Sequence, residues 1–487
     1  MTPYRLHVLG GFAALAALAL VHNAPHLAPG AFNWAEPGNV AAALLEGRGF
    51  SDPFGGGTGP TAWVPPLPVA IVAGVFAVAG IKTHAAALVL VSAAIIGLGL
   101  AHALILRITQ AVGTLARWGA SVFFLLTLAL LPDGPLEVQS EAWLDIALSA
   151  ALLERLLAYR HRPAWGRALG LGALSAAAAL THAGLALAAL LCLGLLALGE
   201  LGARRFPVRA LAALALVVLA LGAWTLRNTL ALGKVIPLKS NFWFECYLAN
   251  VASPDGFPRA ETTLRLMPYF NQAQFERYKT LGETAYVESF KAPTLAFLAQ
   301  HPDGFAKAVG RRVLNAVGFC KLGDGSTPTH AAFTPADRAR LAAGGELVSV
   351  EGPTPMGIWL HSDEPALTAA GALSRLNLSE PDLVWRDWSE KHEAYLADRS
   401  RPRELATGLL VSAVPVFAFL GTLLLARGTM PACALWAAFV AAATVAPFVA
   451  INHSMRHQLP LLACSSVIVG VALEVGNRRA RVAPGNA

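Results

Sequence analysis

Charge is what this chain has least of. Only 14% of its 487 residues are Asp, Glu, Lys or Arg, against about 25% in soluble domains. With 55% hydrophobic residues, that shortage excludes the string of about three soluble domains that the length alone would accommodate. Cysteine is also sparse, at five. Cys192, Cys433 and Cys464 lie inside apolar runs, where a thiol packs as a small hydrophobe, so no disulfide framework is expected. Cys246 and Cys320 fall in a long polar stretch, and whether they pair is left open by sequence. Alternating strand patterns are missing too, because the apolar blocks are apolar on every face, and this excludes a membrane barrel. No His/Cys spacing or paired-acid motif stands out, so a divalent metal has only weak support and no cofactor is implied.

What is present is a series of Ala-, Leu- and Val-rich blocks near the roughly 20 residues that cross a bilayer as helix. The chain reads as an all-α polytopic membrane protein. Its net charge of +7 sits in short connections: Arg107 and Arg117; Arg160, Arg162 and Arg167; Arg204, Arg205 and Arg209; Arg427; and Arg478, Arg479 and Arg481. The positive-inside rule makes those connections cytoplasmic, and a lipid-headgroup role accounts for them with no nucleic-acid partner. The first block, 6–22, follows Arg5 and has the start of a signal peptide; it is read as a retained helix.

Parity then constrains the next two blocks. Between a first loop outside and Arg107 inside lie the apolar runs 67–81 and 85–106, and only one of them can cross. The shorter, opened by Pro65, Pro66 and Pro68, is assigned to a re-entrant or interfacial helix. Helices are expected at 116–132, 142–158, 167–181, 183–200, 208–226, 404–426, 430–450 and 458–474, giving about ten crossings. Three parts follow: a transmembrane module 1–226, an extracytoplasmic region 227–402 that is mainly helical, near 272–296 and 298–317, and C-terminal helices with a basic cytoplasmic tail, 403–487.

Ionisable residues gather at helix ends on the expected outer face. Glu36 precedes Pro37 and opens "EPGNVAAALLEG", with Pro near the start of a short helix and Gly47 just past its end. It is either a helix-dipole carboxylate or a site residue. Asp52, within a glycine-rich loop, is either a second first-loop acid or a turn residue. A second acidic loop holds Asp133, Glu137 and Glu141, the last at a helix edge. His182, in the hinge "LTHAG", is an interface or a site residue. Before the last helix, "INHSMRHQLPLL" supplies His453, Arg456 and His457; Arg456 is either a headgroup anchor or a phosphate clamp.

Several stretches resemble one known family. "AEPGNVAAALLEGRGFSDPF…GPTAWVPPLP", "GALSAAAALTHAGLAL", "WTLRNTLALGKVIPLKSNFWFECYLAN", "FERYKTLGETAYVESFKAPTLAFLAQHPDGFAKAVGRR" and "RHQLPLL" are similar to membrane glycosyltransferases of the GT-C fold that use a polyprenyl-phosphate sugar. The bacterial relatives of protein O-mannosyltransferases and the lipid A aminoarabinose transferases are the nearest in pattern. The resemblance touches most of the membrane part and leaves 321–402 unmatched.

It implies transfer of a hexose or pentose to a hydroxyl of a glycan, lipid or protein acceptor, with inversion, in a bacterial inner membrane with the site facing the periplasm. Glu36 would be the general base; Glu141 or Glu137 the second-loop acid; Arg456, with His457, His182 and Arg227 behind it, would hold the donor phosphate. Two positions depart from the family pattern: a single Glu36 stands where many relatives carry Asp or an Asp-Glu pair, and "THAG" lacks the usual Arg. Rival readings are a transporter or flippase of lipid-linked intermediates, a saccharide polymerase or ligase, and an assembly scaffold. No repeat relates the two halves, as transporters tend to show.

Overall fold

The computed structural model describes residues 3–23, 36–130, 136, 141–252, 266–268, 271–316 and 459–482. Among them the regular structure is helical. The elements are α1 Pro3–Asn23, α2 Glu36–Leu45, α3 Pro66–Ala79, α4 His84–Gln110, α5 Thr114–Leu130, α6 Ala142–His161, α7 Trp165–Ala179, α8 Ala183–Gly202 and α9 Val208–Leu232, then α10 Phe242–Asn250, α11 Gln272–Leu281, α12 Glu283–Glu288, α13 Lys291–Gln300, α14 Pro302–Ala316 and α15 Leu462–Val482. Five of these (α1, α4, α8, α9 and α15) are long and apolar enough to cross a membrane, and α3 and α5 are shorter apolar helices. The apolar blocks make this an integral membrane protein.

Helix positions follow the apolar blocks closely, with three corrections, one of them that the helix expected at 458–474 is Leu462–Val482 and takes in the basic residues Arg478, Arg479 and Arg481. The single helix expected near 272–296 is broken into three: Gly282 takes φ 74° between α11 and α12, a left-handed conformation that glycine adopts without strain. The helix expected to end at 226 continues to Leu232, where Gly233 at φ 67° stops it as a left-handed C-cap. The helices expected at 404–426 and 430–450 lie outside the described residues.

Close approach of backbones, rather than water exclusion, sets helix contacts in lipid. At Gly470 of α15 a Cβ would fall on the Ala116 carbonyl oxygen and 3.0 Å from the Ala120 Cβ of α5. The same two helices share a cap, since Glu474 accepts from the backbone N–H of Leu115 (3.1 Å) and Ala116 (3.4 Å). Arg478 donates to Glu474 (3.0 Å) and to the Val112 carbonyl. Gly470→Ala must push the helices apart. It is expected to lower the stability of the detergent-solubilised protein by about 1–3 kcal/mol, the usual cost of overpacking, read as an earlier thermal transition. Gly476→Ala, which would meet nothing within 4 Å, should leave the transition in place.

At 14 residues α3 is about 21 Å long at 1.5 Å per residue, short of the ~30 Å hydrocarbon layer. Its start is tied to the α7–α8 hinge by Leu67 N–H to Leu180 O, 3.1 Å. Just past its end, Lys82 donates to Asn39 of α2, 2.7 Å.

Candidate functional site

The first loop is the most worked piece of the structure. Residues 46–65 leave α2, pass through a run of glycines, and enter α3 through the prolines. Gly47, Gly49, Gly55, Gly56, Gly57 and Gly59 all have positive φ, which is why the stretch needs so many of them. Asp52 shares that conformation at φ 61° and is 3% exposed. Its carboxylate accepts from Gly59 N–H at 3.0 Å and pairs with Arg48. Its backbone N–H donates to Gly59 O at 2.9 Å, and its carbonyl accepts from Gly55 N–H at 3.0 Å. Of the two readings of Asp52, the contacts are those of the turn residue.

Two groups distant in sequence hold this loop. Arg227, in the last turns of α9, donates to the carbonyls of Phe50 and Thr61, each at 2.6 Å. Its guanidinium also lies 5.0 Å from the Phe50 ring and 5.2 Å from that of Trp224, a stacked placement that an ammonium reproduces poorly. These two bonds make Arg227 an anchor of the loop backbone. Glu283, the first residue of α12, is 3% exposed. It accepts from Ala62 N–H (2.7 Å), from the Tyr278 hydroxyl (2.7 Å) and from the Thr61 hydroxyl. Thr61 Oγ1 in turn accepts from Trp63 N–H, 2.9 Å. Burial pushes the Glu283 carboxyl above its usual range, against the pull of the Thr61, Tyr278 and Ala62 donors. The Tyr278 hydroxyl is pushed up by burial and by the neighbouring Glu283 charge.

Aromatic packing continues the join. Phe54 and Trp63 of the loop meet Tyr278 at ring-centroid distances of 5.0 and 6.1 Å, and Trp63 meets Phe244 at 5.3 Å. Tyr286 and Phe290 complete the cluster. Offset and edge-on contacts at these distances are favourable beyond area burial. The loop is therefore part of the core of the polar segment that follows α9.

Glu36 opens α2 half-exposed, while Gly38 and Val40 to Ala43 of the same helix are buried. One turn on, Asn39 donates to Pro53 O at 3.0 Å and accepts from Lys82, so α2 is fixed against the glycine loop and the α3–α4 turn together. Asp52 and Arg227 thus meet in one loop, and α2, which Glu36 opens, is tied to that loop through Asn39. His182 is the N-cap of α8, its Nδ1 accepting from Gly184 N–H at 3.1 Å; two residues before it, Leu180 O accepts from Leu67 N–H in the first turn of α3. Glu141 stands at the N-cap of α6 without a side-chain cap bond. Glu137, Arg456 and His457 lie outside the described residues, as do Asp133 and Cys320. Cys246 is buried, with Asn250 Nδ2 3.6 Å from its sulfur. Among the described residues no three His, Cys, Asp or Glu side chains gather as a metal-ligand set.

Two acids escape a reading by sequence. Glu283 looks from "LGETAY" like an ordinary helix-start carboxylate, and nothing local marks it as buried. Asp145 did have a signal, being the lone acid in "AWLDIALSAALL". It is 3% exposed in the first turn of α6, with Oδ1 buried and without a hydrogen-bond partner, and a buried polar atom left so is costly.

No protein-family model and no curated protein matches this sequence. Among solved structures, the oligosaccharyltransferase of Archaeoglobus fulgidus, in complex with zinc and sulfate, is similar at 13% identity and a TM-score of 0.36 over 96% of this chain and 50% of its own. This chain therefore spans half the length of that enzyme. ArnT from Cupriavidus metallidurans in the apo state gives 13% identity and a TM-score of 0.33, over 96% and 77% of the two chains. Its form bound to undecaprenyl phosphate gives 14% and 0.32, over 97% and 78%.

Proposed function

We propose that the chain is a GT-C-like glycosyltransferase that moves a sugar from a polyprenyl-phosphate donor to a hydroxyl acceptor at the outer face of a bacterial inner membrane. The observation that carries this reading is the placement of Glu36. It opens a short helix fixed by Asn39 to a loop that Arg227 and Glu283 hold from two sides. Asp52 is consumed within that loop and Glu46, at its start, pairs with Arg48, while Glu36 opens α2 half-exposed one turn before Asn39.

In this reading the carboxylate of Glu36 takes the proton of the acceptor hydroxyl as that oxygen attacks the anomeric carbon. The bond from that carbon to the phosphate oxygen breaks, and the prenyl phosphate leaves with the electron pair. A single displacement inverts the configuration. The leaving group is already anionic and needs cationic donors rather than an acid; Arg456 and His457 take that role, with His182 as a further candidate and Arg227 supporting the loop. Glu141, with Asp145 one turn beyond it, supplies the second acidic edge. The topology has about ten crossings, with α3 lying along the interface, its two ends tied to the α7–α8 hinge and to α2.

The test is incubation of the purified protein with radiolabelled polyprenyl-phosphate hexoses and pentoses. Loss of label from one donor, with label appearing on a hydroxyl acceptor, is the expected result. Movement of intact donor across a vesicle bilayer without loss of sugar would replace this reading with the flippase. For orientation, a phosphatase fusion at Ser326 should be active from the periplasm and one at Pro163 inactive; the reverse pattern overturns the topology.

A further inference from the structure

The loop and the polar segment after α9 meet through a hydrogen-bond arrangement built around one acceptor group. Glu283 offers only acceptor oxygens when ionised, and three donors converge on it: the Ala62 amide, the Thr61 hydroxyl and the Tyr278 hydroxyl. Two of the three belong to the loop, 221 and 222 residues away in sequence. Arg227 takes the other side of the same residue, through the Thr61 carbonyl. Ser240 N–H donates to Ala62 O at 2.9 Å. Residues 61 and 62 are thus fixed through both backbone and side chain, and Thr61, Ala62, Tyr278 and Glu283 are buried where an unmade hydrogen bond is costly.

We propose that Glu283 is a positioning residue for sugar transfer, which holds the first loop, and through it α2, in the register that presents Glu36. The proposal rests on the transferase reading for its effect on rate; its effect on the loop stands apart from that reading. The loop connects Asn39's anchor at Pro53 to Glu283's anchor at Thr61 and Ala62 within a few residues, and Phe54 and Trp63 pack on Tyr278 on either side. Losing Glu283 leaves the Ala62 amide and two hydroxyls buried without their acceptor. The loop's cheapest relief is to lift away, and α2 goes with it.

The experiment uses the full-length protein in detergent or nanodiscs and reads hydrogen exchange across 48–63 alongside donor KM and kcat. Glu283→Ala should raise exchange in 48–63 by about ten- to a hundredfold and lower kcat with a smaller change in donor KM. Glu283→Gln keeps the volume and one acceptor oxygen for Ala62, and should restore most of both. Glu288→Ala, on the same helix but exposed and paired with Lys234 and Lys291, should change neither.

Where Glu283→Ala does not fold, Thr61→Val removes one hydroxyl from the cluster at constant shape and should give the same changes at smaller size. Unchanged exchange in Glu283→Ala, or in Thr61→Val where that variant stands in, overturns the proposal. So does loosened exchange with unchanged kcat in a protein that transfers sugar. A parent protein that transfers no sugar overturns the transferase reading and with it the catalytic half of this one, while the exchange readout still decides whether Glu283 holds the loop.

Discussion

If the chain is the transferase proposed above, Glu36→Gln is expected to lower sugar-transfer turnover by about 10²–10⁴-fold, the usual loss when a general base is removed, in a protein that inserts, folds and binds the lipid donor as the parent does. The size of that loss separates the two readings of Glu36. As a helix-dipole carboxylate at the start of α2 it is worth only ~0.3–1 kcal/mol, whereas the kinetic loss corresponds to about 2.7–5.4 kcal/mol at 1.36 kcal/mol per tenfold. Glutamine keeps the shape and a hydrogen-bonding tip but cannot take a proton at neutral pH. The measurement is single-turnover transfer at saturating donor, so that chemistry limits the rate. A variant that keeps more than about a tenth of parental turnover under those conditions removes Glu36 as the base. Glu141 would then be the next acid to substitute, because the carboxylate of Asp52 is already bound up with Arg48 and Gly59.

The second large effect is expected at Arg456, which stands in "INHSMRHQ" before the last helix. A guanidinium that grips phosphate bidentately contributes more than its charge. Arg456→Ala should weaken binding of a polyprenyl-phosphate donor by about ten- to a hundredfold, the range for hydrogen bonds to a charged group. Arg456→Lys should fall between, because it keeps the charge and loses the fork. Donor titration of the two purified variants distinguishes the roles: equal affinity in parent, Lys and Ala proteins reduces Arg456 to an anchor in the headgroup layer.

Much of the helical framework was legible from composition, because a segment apolar on every face has one stable form in lipid. The short, proline-opened block 67–81 could be set apart by length, and α3 is 14 residues, with its start tied to the α7–α8 hinge and the turn just past its end tied to α2. Glu36 could be placed at a helix start from Pro37 and Gly47 alone. The break at Gly282 was missed because the apolar periodicity runs through it, while the backbone's turn depends on a single positive φ.

The partners of the first loop could not be read from sequence. Arg227 sits at the end of an apolar helix, where a headgroup contact is the ordinary expectation, and only the folded chain brings it to Phe50 and Thr61. Glu283 is similar: its neighbours in sequence carry no sign of the loop residues 221 positions away. Asp52 went the other way. A short acid in a glycine run has two ordinary uses, and sequence carries no sign of the bond that Gly59 N–H makes to its carboxylate.

The cap that α15 places on α5 has a consequence in time. Glu474 and the Leu115 amide it accepts from are 359 residues apart, so at roughly 5–20 residues per second the ribosome makes the cap about twenty to seventy seconds after the helix start it serves. Through that interval the first turn of α5 presents unsatisfied amides beside a glycine-lined groove, and Gly470, which fits that groove, arrives in the same late helix. In the nascent chain α5 is thus made well before α15, the helix that supplies its cap and its close-packed partner.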